Sequence, residues 1–192
     1  MQLFLSPGAC AMSCHIAFEE ARLKFEPMIS QWDEVARLNP QGAVPVLVLD
    51  DREVLTQNVA ILTYAAGLAP QLLPKHGTFE YVQAYQWLSW TASDLHPAFS
   101  PLFDDELPAA DRAESEAEVH ELLAQADKHL TGKTFLAGDQ FTIADCYLFT
   151  VYGWARKLKL PTDAYAALNS YAGRIAERPA VQTVLKREGL IK

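Results

Sequence analysis

The stretch L-F-L-S-P-G-A-C-A-M-S-C-H-I-A-F-E-E-A, Leu3 to Ala21, decides how this chain is read. An apolar run stops at the turn triplet Ser6-Pro7-Gly8, and a helical pattern opens at Cys10, with Ile16, Ala17 and Ala21 among its apolar positions. Residues 2 to 5 are therefore predicted as a strand and Cys10 to Arg22 as a helix. Lys24 to Ile29 supplies a second strand, and a β-α-β start implies a right-handed crossover with the two strands parallel. The same stretch sets a thiol at a helix N-terminus. Unpaired N–H groups and the positive end of the helix dipole favour thiolate over thiol there, which lowers a cysteine's pKa. A small apolar residue opening a packed helix is the alternative, and this stretch does not choose between them.

Moving outward, the polar segment between Ser30 and Pro40 holds at most a short turn of helix. Val44 to Leu49 is a β-branched run, Asp50-Asp51-Arg52 a hairpin turn and Glu53 to Leu55 a short partner strand. Thr56 to Gly67 reads as a helix capped by Thr56 and stopped by Gly67. The order is that of a small open sheet with helices packed on it. After Leu68 the segment A-P-Q-L-L-P-K-H-G suits a linker, and every later periodic stretch is helical, so the chain divides near residue 75 into units 1–75 and 76–192.

In the second unit, Thr78 to Phe99 forms a long helix, a second follows Pro108, and two shorter ones span Ala164 to Ala176 and Pro179 to Glu188. Phe141-Thr142-Ile143-Ala144-Asp145-Cys146 opens the helix expected to be the buried centre. Thr142 and Asp145 make a variant capping box there, with Phe141 placed to staple against Cys146.

Composition narrows the function. The chain has 192 residues, half of them hydrophobic, and a formal charge of −8 with no Lys/Arg block, which argues against nucleic-acid or anionic-membrane surfaces. No apolar stretch approaches the ~18 residues of a membrane span, and the start lacks a secretory pattern, so a cytoplasmic protein is expected. The three cysteines, Cys10, Cys14 and Cys146, form neither a disulfide framework nor a zinc-ligand spacing, and no metal is expected. Cys14, one turn beyond Cys10, reads as core packing, with a resolving thiol as the alternative.

Three further places can carry chemistry. Pro45 enters a strand where its missing N–H costs least; it is either an ordinary trans proline or a cis one that presents the Val44 backbone to a ligand. Gln57 and Asn58 open the next helix, where free N–H groups and an amide can hold a carboxylate. His96 precedes Pro97, which should disturb the helix and turn the ring toward a cleft between the units.

These pieces are collinear with a known pattern. S-P-G-A-C (Ser6–Cys10), N-P-Q-G-A-V-P-V-L (Asn39–Leu47), L-T-Q-N-V-A-I-L (Leu55–Leu62), Q-W-L (Gln86–Leu88), L-H-P-A-F-S-P-L-F (Leu95–Phe103), L-A-G-D-Q-F-T-I-A-D (Leu136–Asp145) and the terminal E-G-L-I-K carry it. Over essentially its full length the chain resembles the cytosolic glutathione S-transferases, most closely the bacterial beta class. The resemblance implies an α/β thioredoxin-like N-terminal domain followed by an all-α helical domain lining the electrophile site. It also implies a homodimer and a detoxification enzyme that uses glutathione as co-substrate to conjugate, or exchange thiols with, small electrophilic or apolar compounds. Glutathione-dependent reduction through Cys10 is a neighbouring expectation, and a non-enzymatic binding or regulatory protein on the same fold is the alternative.

By the same resemblance Cys10 lies beside the glutathione sulfur with His96 near it, and these two are the expected catalytic residues. Val44 and Pro45 match the cis-proline loop that pairs with the cysteinyl unit, and Gln57 and Asn58 match the pair that holds the γ-glutamyl end. Ser89, Ser93 and Asp94 fall where helix residues reach the ligand. The chain departs from the class in four places. Asn58 stands where serine is usual, Ser89 where asparagine is usual, and Pro97 where lysine often follows the histidine. The lysine that pairs with the glycyl carboxylate has no counterpart; Lys24 is too early, leaving Gln31 or Trp32 for that edge. Loss of one charge-assisted bond is worth about 1.5–3 kcal/mol, roughly ten- to a hundredfold in affinity.

Overall fold

The structure, a computed structural model, describes residues 1–29 and 32–192 and, for Trp32, the backbone alone. Strand β1 (Gln2–Leu5) leads through the Ser6–Ala9 turn into α1 (Ala11–Glu20), and β2 (Glu26–Ile29) returns parallel to β1 with Leu3 opposite Pro27. Gly8 has φ +70°, a conformation that glycine adopts without the penalty a Cβ would bring, and the turn is closed by Ala9 N–H donating to Ser6 O at 3.0 Å. Helix α2 (Trp32–Leu38) is two turns long, more than the short turn the polar composition suggests. Val35 explains the difference: it is fully buried in a small cluster with Phe4 and Val46 on the outer face of the sheet.

Strands β3 (Val46–Val48) and β4 (Val54–Thr56) form an antiparallel hairpin, and β3 also pairs antiparallel with β1, so the sheet order is β2-β1-β3-β4. Thr56 belongs to β4 and caps nothing. Helix α3 (Asn58–Leu68) starts one residue later than the cap reading places it, with Gln57 at its N-cap in a left-handed conformation, φ +73° and ψ +123°. Alternation along β1 sends Leu3 and Leu5 to the inner face, where α1 and α3 cover them, and Phe4 to the outer face beneath α2.

The rest is helical. Thr78 caps α4 (Phe79–Trp90) by accepting from Tyr81 N–H at 3.3 Å. The chain then passes through a widened π turn, Thr91–Leu95, into α5 (His96–Phe99) and a 3-10 turn. Pro97 has no N–H to bond back and its ring crowds the preceding turn; widening that turn keeps the helix going rather than ending it. The hydroxyls of Thr91 and Ser93 bond back to Trp87 O and Ser89 O, four residues earlier, which favours the same bend. Helices α6 (Ala109–Leu130), α7 (Ile143–Lys157), α8 (Ala166–Ala176) and α9 (Pro179–Arg187) complete the fold.

Helix α7 is the buried centre that its composition predicts. The carboxylate of Asp145 accepts from Thr142 N–H and Thr142 Oγ1 at 2.8 Å each, from Leu136 N–H at 3.0 Å and from Tyr171 Oη at 3.0 Å. Burial pushes this carboxyl up to about 6 against the pull of those donors. One apolar cluster runs from Leu3 in β1 to Val184 in α9, so the sheet-bearing part and the helical part share a core. No helix of the described residues is long and apolar enough to cross a membrane.

Candidate active site

The N-cap of α1, the β3 entry, the start of α3 and the π turn converge on a cavity of about 330 Å³. Cys10 sits at that N-cap, its position fixed by the Ser6–Ala9 turn and by Ser13, whose hydroxyl donates to Cys10 O at 2.7 Å. The Val44–Pro45 bond is cis, and Cys10 Sγ donates to Val44 O at 3.4 Å. The thiol is not activated by its helix terminus. Burial pushes it up to about 11, and the N–H groups of Ala11 and Cys10, which pull the other way, do not offset that. Of the two readings the sequence leaves open at Cys10, burial favours the thiol over the thiolate: in this arrangement Cys10 is a proton donor.

Gln57 lines the cavity from its strained N-cap conformation and donates from Nε2 to Gln41 Oε1 at 3.2 Å. A non-glycine residue at such a φ and ψ costs of order 1–3 kcal/mol and persists where its surroundings hold it, a pattern typical of ligand sites. Asn58 also lines the cavity, but its amide is engaged inward. Nδ2 donates to Ser13 Oγ at 2.9 Å, and Oδ1 accepts from Cys14 Sγ at 3.1 Å. What the start of α3 offers a carboxylate is therefore its first-turn N–H groups, which have no acceptor within the helix, rather than the Asn58 side chain. Cys14 is fully buried, as its reading as core packing predicts.

His96 reaches the cavity from the far side, just after the π turn. Its Nδ1 lies 2.6 Å from Tyr147 Oη, and its ring stacks edge-on to Trp154 at 4.8 Å. Burial lowers the histidine's pKa and raises the phenol's, so both groups are neutral near pH 7. Across this contact Tyr147 donates when the imidazole proton is on Nε2 and accepts when it is on Nδ1.

The structure thus brings Cys10, Val44, Pro45, Gln57, Asn58 and His96 to one cavity. Ser89, Ser93 and Asp94 are exposed and do not line it in the single chain; Ser93 Oγ bonds to the Asp94 carboxylate. Tyr147 and Gln41 line the cavity without having been singled out in the sequence. Tyr147 sits in an apolar run that reads as core, and nothing local marks its hydroxyl; Gln41 lies in a motif whose chemical signal is its proline. Among the described residues that line the cavity there is no lysine, arginine or carboxylate. Gln31 and the Trp32 side chain, the candidates for its far edge, lie outside the described residues. Nor do the described residues contain a cluster of three or more His, Cys, Asp or Glu that could hold a metal ion.

Residues 8–68 match the family model "Glutathione S-transferase, N-terminal domain", and residues 91–179 match "Glutathione S-transferase, C-terminal domain". Glutathione S-transferase GstA of Escherichia coli O157:H7 is 36% identical over 200 residues, covering 99% of this chain and all of that protein. A sphingomonad glutathione S-transferase solved with glutathione superposes with a TM-score of 0.93 at 39% identity, covering all of both chains. The bacterial beta class glutathione S-transferase of Sphingomonas chungbukensis does so with a TM-score of 0.93 at 38% identity, again over all of both chains.

Proposed function

The chain belongs to the glutathione S-transferase family, an enzyme family, and from that premise we propose that it binds glutathione in the Cys10 cavity and transfers its sulfur to small electrophiles. The observation that carries this reading is the convergence of Cys10 Sγ, the Val44 backbone and the His96–Tyr147 pair on one cavity. A cysteinyl unit lying along Val44 puts its sulfur near Cys10. The protonated Cys10 thiol and His96 Nε2–H are then donors that favour the glutathione thiolate. The glutathione thiol gives its proton to solvent, the thiolate attacks the electrophilic carbon, a C–S bond forms, and the bond from that carbon to the leaving group breaks with the electron pair going to the leaving group. The γ-glutamyl carboxylate is held at the start of α3, with Gln57 beside it.

The division into a glutathione-binding domain, 1–75, and a helical domain, 76–192, that receives the electrophile belongs to this reading. So does a homodimer: Phe79 and Val82, one helical turn apart on α4, are 72% and 59% exposed, more than a lone chain needs to leave uncovered. A reducing, cytoplasmic setting is supported by three free cysteines. Detoxification of reactive electrophiles is the role this chemistry suits.

The cavity's lack of a lysine or arginine favours a second reading among the described residues, a binding or regulatory protein with weakened glutathione use. Calorimetric titration with glutathione tests the choice. Binding of one glutathione per chain, together with loss of thiol-exchange activity in Cys10→Ala, supports the enzyme. No heat of binding at millimolar glutathione, with a protein partner retained in Cys10→Ala, supports the alternative.

A further inference from the structure

The terminal E-G-L-I-K motif takes no part in the cavity, yet its glutamate is among the most deeply buried charged groups of the chain. The Glu188 and His15 side chains are each 1% exposed and meet at 2.8 Å, Glu188 Oε1 to His15 Nδ1. The second carboxylate oxygen accepts from Gly8 N–H at 2.8 Å, and the other side of the same residue, Gly8 O, accepts from Trp154 Nε1 at 2.8 Å. Gly8 is thus held at both its N–H and its carbonyl, two residues before Cys10. Leu190 closes over it: a Cβ at Gly8 would lie 3.5 Å from Leu190 Cδ2.

Local physics does not favour this placement. Glu188 is the C-cap of α9, where the negative end of the helix dipole disfavours an acid, and burying a carboxylate costs several kcal/mol unless it is well paired. His15 Nε2 is buried without a hydrogen-bond partner, so the ring's hydrogen bonding rests on Nδ1, with Phe25 packed edge-on at 5.7 Å. A buried acid that breaks the local rule and spends both oxygens on the turn and helix carrying Cys10 marks a functional constraint.

We propose that Glu188 is a positioning residue: by clamping Gly8 and His15 from the end of the chain, it holds Cys10 in its sheltered place against the Val44 carbonyl. This rests on the reading of Cys10 as the thiol that faces glutathione. It says more, namely that the last turn of the helical part sets the exposure of a thiol in the sheet-bearing part.

Site-resolved alkylation tests it without glutathione. The protein is treated with iodoacetamide at pH 8; at each labelled cysteine an S–C bond forms, iodide leaves and the thiol proton passes to solvent. Labelling is quantified separately at Cys10, Cys14 and Cys146 by mass spectrometry. In Glu188→Ala the turn is released, and Cys10 labelling is expected to rise by roughly five- to a hundredfold as the sulfur gains water. Cys14 and Cys146, both fully buried, are expected to stay unlabelled. Glu188→Gln keeps one acceptor oxygen and lies between, and it decides the matter by the same two readings if the alanine variant does not fold. Cys10 labelling within twofold of the parent overturns the proposal, as does simultaneous labelling of all three cysteines, which reports general loosening. Glutathione titration of the unsubstituted protein separates this outcome from failure of the functional reading.

Discussion

At Cys10 two effects oppose each other, and their sizes decide what the thiol does. The helix terminus offers N–H groups that favour the thiolate, while burial removes the water that would solvate it, and burial wins. The ligand-free protein should therefore show Cys10 alkylation rising with pH around a midpoint of about 11, above the ~8.5 of an unperturbed thiol. A midpoint at or below ~8.5 would contradict the burial argument. Tyr147 lies 2.6 Å from His96 Nδ1 on the other side of the cavity, and the proposed function uses the tautomer in which it donates there and leaves the histidine proton on Nε2. Tyr147→Phe removes that hydrogen bond, worth about 1–2 kcal/mol, so kcat with an aryl halide electrophile should fall roughly five- to thirtyfold. The KM for glutathione should change little, because the tyrosine contacts the imidazole and not the ends of the tripeptide. Steady-state kinetics with each substrate varied in turn reads both.

Among the elements, α7 shows how a local signal and a long-range one combine. The Thr142–Asp145 capping box is legible in four residues of sequence. The Leu136 N–H and Tyr171 Oη donors that complete the Asp145 shell come from nine residues before it and from α8. All four donors face a carboxylate, so Asp145→Asn sets an amide N–H₂ against two of them. The loss should be about 2–4 kcal/mol in urea unfolding. The sign of the pH effect follows from the raised pKa. Between ~4, the unfolded value, and about 6 the folded state holds a proton the unfolded chain has lost. This group's contribution therefore favours folding below that window and is lost as pH rises through it. Asp145→Asn should remove that slope, which paired unfolding curves at pH 4.5 and pH 7 measure.

The elements also mark where reading the sequence stops. Strands β1 to β4 are legible because short apolar runs, β-branched in β3 and β4, and turn triplets are local signals. The length of α2 was not, since Val35 matters only once Phe4 and Val46 lie beneath it. Thr56 looked like a cap because composition cannot say that β4 runs through it and leaves Gln57 to take the N-cap. Pro97 announced a disturbance; that it takes the form of a π turn, with the helix continuing, depends on packing around Leu95 and Phe99, both fully buried.

For the whole molecule, the parts before and after the Pro70–Leu73 segment are tied at several points. Arg178 pairs with Glu20 at 2.6 and 2.9 Å while its guanidinium lies 4.0 Å from the Phe141 ring centre, and Arg187 pairs with Glu19. Gln140 Nε2 donates to Gln71 O and Leu73 O. The cavity inherits its shape from this docking, which is why its two missed residues, Tyr147 and Gln41, left no sign in the sequence: each becomes a lining residue only when distant segments meet. The exposed Phe79 and Val82 belong to the same scale. Phe79→Glu with Val82→Lys should convert a dimer into a monomer in light scattering, whereas an unsubstituted protein that already runs as a monomer would remove the dimer from the account.

The proposed function requires glutathione to sit in the Cys10 cavity. A crystal structure of the protein with glutathione tests this most directly. The prediction is a tripeptide whose cysteinyl backbone pairs with Val44, whose sulfur lies within hydrogen-bond reach of Cys10 Sγ, and whose γ-glutamyl carboxylate meets the first-turn N–H groups of α3. Saturating glutathione that leaves this cavity empty, or binds elsewhere on the chain, would contradict it.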